Sequence, residues 1–277
     1  MDAPELKSLR LSDSDLDFVI REAAPDFGDK EKLKRLIRED DAFRKALLGD
    51  EKVFRRLMAD EDVFVKVSPA LYFEVLLRRT LSELKNASYT IERIGTEQVP
   101  VFDVESVVNL LANEALLEYL VDMLCSFTRI ESYTIPIRVR KGVWRKFRFS
   151  DIDIDALIQL CQTLDEEHKF SLYKRIGDVC LFILGIFPEY AQFDYQYHSS
   201  RGLRLRLTAA RRGMQEYEEE GRRFYRLAAE HRSARELELS EVFELLDKNF
   251  NTAKKPLNFI SQCYLRRRKY QLFDVEN

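Results

Sequence analysis

Residues 179–188 read VCLFILGIFP, the longest apolar run in the chain, closed by a proline. A membrane-spanning helix needs about 20 apolar residues, so the run is too short to cross a bilayer. It reads as the buried centre of a helix that Pro188 stops. The chain around it has 277 residues, 45% apolar and 34% charged, with only nine glycines and seven prolines. That length can bury a large core, as one large domain or two small ones. A charge-rich composition so poor in breakers favours helices.

Upstream of this run, helix starts recur. Ser12 and Asp13 precede LDFVIREAA, a capped first helix that ends before Pro25. Asp29 opens a pattern running to Gly49, with Leu33, Leu36, Ile37, Phe43, Ala46 and Leu47 at helical spacing. Asp50 caps the next segment. Ser68 and Pro69 make the strongest start, since serine suits the N-cap and proline the first helical position. Residues 86–100, NASYTIERIGTEQVP, are polar and read as a long loop broken by Gly95 and Pro100. Asp103 then leads VESVVNLLANEALLEYLVDMLCSF, 24 residues apolar on more than one side, as in a central buried helix.

Past this helix the period changes from helical to alternating. Tyr133, Ile135, Ile137 and Val139 fall on one face of a strand, and beyond the Lys141-Gly142 turn Val143, Phe147 and Phe149 share it, interrupted by Arg145. Arg138, Arg140, Trp144, Lys146 and Arg148 fall on the other face, and Pro136 suits an edge strand. Ser150 and Asp151 read as the cap of the next helix, long amphipathic helices resume over 203–229 and 240–250, and LRRRK at 265–269 ends the last helix, where cations complement the dipole. The spacing predicts a mainly α, multi-helix bundle-like protein with one small β-hairpin near 133–149. Its expected organisation is an N-terminal helical half, residues 1–130, and a half formed by the hairpin and further helices, residues 131–277, or one continuous domain.

The stretch Ile176 to Tyr190, IGDVCLFILGIFPEY, is the most individual in the sequence. With residues 67–79 (VSPALYFEVLLRR) and 213–229 (GMQEYEEEGRRFYRLAA), it resembles an uncharacterised group of largely helical bacterial proteins. In that group a Gly-Asp pair leads into Gly-x-Phe-Pro-Glu, followed by an aromatic-rich segment and a Tyr-x-x-x-Gly-x-x-x-Tyr-like helix. The matching residues are Gly177, Asp178, Gly185, Phe187, Pro188, Glu189, Tyr217, Gly221 and Tyr225. The resemblance implies a helical bacterial protein and carries no activity. Packing accounts for the same residues: Gly185 permits a close helix crossing, and Tyr217, Gly221 and Tyr225 share a face at i, i+4, i+8.

Candidate chemistry is sparse. Of three histidines, His168 stands at i+3 from Asp165, the spacing of carboxylate–histidine metal sites in bundles, but the second Glu-x-x-His such a site wants is missing. No metal or cofactor is expected. Cys125, Cys161, Cys180 and Cys263 lie far apart and read as reduced core thiols. No phosphate-cradling glycine motif occurs. The opening MDAPELKSLRLSDSDLDF lacks the apolar core of a signal peptide, so a cytoplasmic protein without membrane contact is expected. The segment FDYQYHSSRG, 193–202, offers a candidate pocket of Tyr195, Tyr197, His198 and Arg201, with His198 as base, Ser199 or Ser200 as nucleophile and Arg201 as anion clamp. No G-x-S-x-G surrounds those serines, so no catalytic residue is assigned and the sequence leans away from an enzyme.

Six of the eleven residues in RVRKGVWRKFR, 138–148, are basic, in a chain whose net charge is only −3. Polyanion or partner contact must therefore come from a local patch, and Arg138, Arg140, Lys141, Trp144, Lys146 and Arg148 are its candidates. The preceding helix has no Lys or Arg, which excludes a winged helix. Asp151, Asp153 and Asp155 follow and oppose a phosphate-tracking arm. The leading expectation is a non-enzymatic interaction or regulatory protein that contacts another protein. Nucleic acid at the hairpin and a small ligand at the 194–201 loop are the alternatives.

Overall fold

The computed structural model describes residues 11–60, 62–94, 97–129, 132–140, 143–192, 212–266 and 268–273, with 91–94, 97–98, 132–140, 143–149 and 192 through their backbone. These residues form two units, 11–125 with 259–266 and 126–258 with 268–273. The protein is mainly α-helical.

The first unit holds α1 (Asp13–Ala23), α2 (Lys30–Glu39), α3 (Asp41–Leu48), α4 (Glu51–Ala59), α5 (Val63–Lys66) and α6 (Pro69–Lys85). It continues through β1 (Thr90–Ile94), β2 (Glu97–Val101), α7 (Val104–Leu111) and α8 (Glu114–Ser126). Local chemistry sets the starts. Ser12 Oγ accepts the Asp15 N–H at 3.2 Å while the Asp15 carboxylate accepts the Ser12 N–H at 2.9 Å, a reciprocal capping box. Asp15 is fully buried and also accepts the Ser68 N–H at 2.7 Å, tying the start of α1 to that of α6. Asp29 and Asp50 cap α2 and α4, and Ser68 Oγ accepts the Leu71 N–H at 3.2 Å ahead of Pro69. A Ser68→Ala protein loses about 1 kcal/mol, since that amide loses its acceptor; its urea midpoint should fall with an unchanged m-value.

Three expectations fail here. The pattern from Asp29 to Gly49 splits into α2 and α3, because Asp40 accepts the Phe43 N–H at 3.0 Å and starts a new helix. The 24-residue helix splits into α7 and α8, where Asn113 Oδ1 accepts the Leu116 N–H at 3.0 Å. The expected loop at 86–100 contains a second hairpin, with Thr90 opposite Val101 and Ile94 opposite Glu97. Its Glu and Arg residues hide the strand preference of Thr90, Ile91, Ile94, Val99 and Val101. Thr90 Oγ1 donates to Asp103 Oδ1 at 2.5 Å, so Asp103 closes this hairpin instead of capping α7 with its side chain.

The second unit opens with β3 (Ser132–Arg140) and β4 (Val143–Ser150), the expected hairpin. It continues through α9 (Ile154–Cys161), a 3-10 turn (Glu166–His168), α10 (Phe170–Ile186), α11 (Pro188–Gln192), α12 (Met214–Glu230), α13 (Arg232–Glu236), α14 (Ser240–Lys248), α15 (Phe250–Ile260) and α16 (Arg268–Leu272). The apolar run lies in α10, buried from Ile176 to Phe187, and α10 ends at Ile186, just before Pro188. Glycines let neighbours approach it. A Cβ at Gly177 would stand 2.8 Å from the Tyr225 ring, and one at Gly185 would stand 2.6 Å from Leu257 Cβ. Phe182 stacks on Phe127 at 4.0 Å and meets Phe187 and Phe273 edge-on.

Two boundaries differ from expectation. Asp153 caps α9, which starts at Ile154, and Ser150 ends β4. The LRRRK run straddles a break: a π-helix ends at Leu265, Arg266 takes φ 32°, and α16 begins at Arg268. Among the described residues no helix is long and apolar enough to cross a membrane.

Candidate functional site

In the β3–β4 hairpin the antiparallel register puts Arg138 opposite Trp144, Pro136 opposite Lys146 and Thr134 opposite Arg148. Tyr133 opposite Phe149 and Ile135 opposite Phe147 form the alternate rows, with Ile137 opposite Arg145. The alternation in the sequence is thus the register of the strands. Arg140 is the exception: the register shifts between Arg138 and Arg140, so Arg140 pairs with Val143 and leaves the row of Arg138 and Trp144. Lys141 lies outside the described residues.

The hairpin is rooted on α10. Arg175 Nη2 donates to Asp151 Oδ2 at 2.6 Å and its Nε to the Asp151 carbonyl at 3.0 Å. Its Nη1 donates to Ser126 Oγ at 2.7 Å, and the guanidinium lies 3.9 Å from the centre of the Phe127 ring. Asp151 follows β4 directly, so this clamp grips the base of the second strand. Of the three acids expected to oppose the arm, Asp151 pairs with Arg175, Asp153 accepts the Ala156 N–H at 3.1 Å and Asp155 pairs with Arg212.

The other sequence candidates part company. Tyr195, Tyr197, His198 and Arg201 lie outside the described residues. His168 sits exposed in the 3-10 turn that Asp165 precedes. His231 is structural: its Nδ1 accepts the Ser233 N–H at 3.1 Å to cap α13, and its Nε2 lies 3.0 Å from the Glu166 carbonyl. Since a carbonyl only accepts, Nε2 carries the proton. Among the described residues no group of three or more His, Cys, Asp or Glu is placed to hold a metal. The cysteines are free thiols. Burial pushes Cys161 up to about 11 and Cys125 to about 12, values that suit inert thiols rather than nucleophiles. Cys263 is exposed, against the expectation of a core position.

The distinctive motif residues pack. Asp178 is fully buried on α10 and accepts the Tyr225 hydroxyl at 2.9 Å and Lys174 Nζ at 2.7 Å. Glu189 accepts Lys269 Nζ at 2.6 Å and the Tyr270 hydroxyl at 3.3 Å, so the Phe-Pro-Glu turn anchors α16. Lys269 also donates to the Ile186 carbonyl at 3.2 Å and lies 4.8 Å from the centre of the Phe187 ring. A surface cleft of about 480 Å³ between α12, α13 and α14 is lined by Arg226, Arg235, Ser240, Glu244, Asp247 and Lys248. Most of its charge is internally matched: Arg226 is bidentate on Asp247 and Lys248 pairs with Glu244.

Sequence reasoning missed a buried charge cluster in the first unit. Glu74 on α6 has no exposed surface, and its Oε1 accepts Arg78 Nε at 3.0 Å and Nη2 at 2.7 Å. Arg78 also donates to Glu114, while Arg44 donates to Glu118 at 2.8 Å and its Nε stands 3.8 Å from Glu74 Oε1. Burial disfavours the Arg78 charge, but Glu114 and Glu74 outweigh it and hold its pKa above the ordinary value. These acids and cations pair with one another across α3, α6 and α8, with Glu74 Oε2 and Arg44 Nε buried and without a hydrogen-bond partner. The available signal was one Glu amid apolar neighbours in ALYFEVLL. No family model, curated protein or solved structure matches the chain.

Proposed function

We propose that the protein is a non-catalytic binding protein of the cytoplasm that holds an acidic partner protein on its β3–β4 hairpin. The observation that supports this reading is the register, which lines up Arg138 and Trp144 beside Lys146 and Arg148 on an arm rooted by Arg175 and Asp151. A local concentration of positive charge on a net-acidic chain confines anion binding to the patch itself. An aromatic residue among the cations adds the contact area on which interfaces depend.

Trp144 is the only tryptophan, so its emission reports on the arm alone. Titrating the protein with polyglutamate, and separately with mixed-sequence single- and double-stranded DNA, at low and physiological salt tests the reading. Polyglutamate should shift the emission, and an Arg138→Ala/Lys146→Ala/Arg148→Ala protein should lose the shift. Binding that survives in that variant removes the hairpin from the site. DNA binding with a steeper loss in salt, and none of polyglutamate, moves the reading to nucleic acid.

A further inference from the structure

We infer that the outer edge of β4 receives an extended acidic peptide as a third, added strand; this rests on the reading of the hairpin as a protein-binding arm. Among the described residues β3 and β4 form a sheet of two strands, so each strand has one neighbour and one outer edge. Proline lacks an N–H, and within a sheet it is accommodated where that N–H would point away from the neighbouring strand. Pro136 therefore marks the outer edge of β3 as the one that lacks a donor, and its ring obstructs a strand arriving there.

The same proline fixes the phase of β4. If the nitrogen of Pro136 faces outward, Pro136 and Lys146 form a non-hydrogen-bonded pair, in which the backbone groups of both residues point away from the partner strand. Pairs alternate along an antiparallel ladder, so Arg138 with Trp144 and Thr134 with Arg148 are of the same kind. The N–H and C=O groups of Trp144, Lys146 and Arg148 consequently face the outer edge of β4, whose eight residues contain no proline. The residues that present this row of backbone groups are the aromatic and two of the cations of the candidate site.

Charge selects the occupant. Lysine and arginine on an edge strand oppose pairing with an identical strand, because like charges come opposite one another. A second copy of β4 is thereby rejected. An extended segment with Glu or Asp at alternate positions satisfies the backbone row and the charge row together, the arrangement of strand-addition recognition.

The experiment uses the full chain, labelled with 15N, and a seven-residue peptide alternating glutamate with threonine. Two N-methylated forms of this peptide block one edge each. In the free protein the amides of Trp144, Lys146 and Arg148 should exchange fast and those of Arg145, Phe147 and Phe149 slowly. The unmodified peptide should slow the first set, and one N-methylated form should bind at least about tenfold more weakly, having lost its edge donors. Equal binding by all three forms, with no change in exchange, overturns strand addition while leaving a charge contact at the hairpin. Failure of these peptides and of polyglutamate to bind overturns the protein-binding reading with it. Slow exchange at the three amides before any peptide is added overturns the assigned edge.

Discussion

An Arg78→Met protein is expected to lose about 3–5 kcal/mol of stability, the cost of leaving a buried charge without its partner. Glu74 has no exposed surface, and both of its close hydrogen bonds come from Arg78. Arg44 Nε, at 3.8 Å, lies beyond hydrogen-bond reach and cannot replace them. Methionine keeps most of the volume of the side chain, so the loss reports the stranded carboxylate and not a cavity. Removing both charges, as Glu74→Leu with Arg78→Met, should recover most of the stability, because an apolar pair of similar volume needs no compensation. Urea unfolding of the single and double variants measures the difference. A single variant within about 1 kcal/mol of the parent would mean that Glu74 is not held as a buried anion.

The same cluster sets an acid limit. Burial raises the Glu114 pKa, but the hydrogen bonds and charges of Arg78 and Lys45 outweigh it and hold the carboxyl below its ordinary value. A folded-state pKa below the unfolded one, about 4.3 for glutamate, adds stability that is present above that pH and is lost as the pH falls through the folded value. In the Arg78→Met protein this part of the acid dependence should flatten.

What the sequence discloses divides by range. The caps at Ser12, Asp29, Asp50 and Ser68 are legible because a side chain and an amide two or three residues on settle them. The hairpin rows from Tyr133 to Arg148 are legible because alternation has a period of two and needs no distant partner. The charge cluster is not, because Glu74 and Arg78 at i, i+4 have the spacing of an ordinary surface pair until Arg44 and Glu114 arrive from α3 and α8. The step at Arg140 is hidden for a different reason: a bulge alters which residues face each other without altering the pattern of residue types.

Gly221→Ala should destabilise the second unit by about 1–3 kcal/mol, although alanine is the better helix former by about 1 kcal/mol. Gly221 lies inside α12, where its missing side chain leaves room for two neighbours. A Cβ there would come within 2.4 Å of the Phe250 ring and 2.9 Å of Cys180 Cβ. The first contact is with a buried ring and the second with an atom fixed to the backbone of α10, so neither neighbour can swing aside as the tip of a flexible side chain would. Gly28, with nothing within 4 Å of the same position, is the control, and Gly28→Ala should be close to neutral. Thermal unfolding of the two variants compares the same added methyl at a crowded and at an open position. Adding Phe250→Leu to Gly221→Ala should restore part of the loss by removing the ring, whereas Phe250→Leu alone costs stability by opening space. That opposition of signs, measured in a double-mutant cycle, distinguishes a close helix crossing from a glycine that merely terminates or loosens α12.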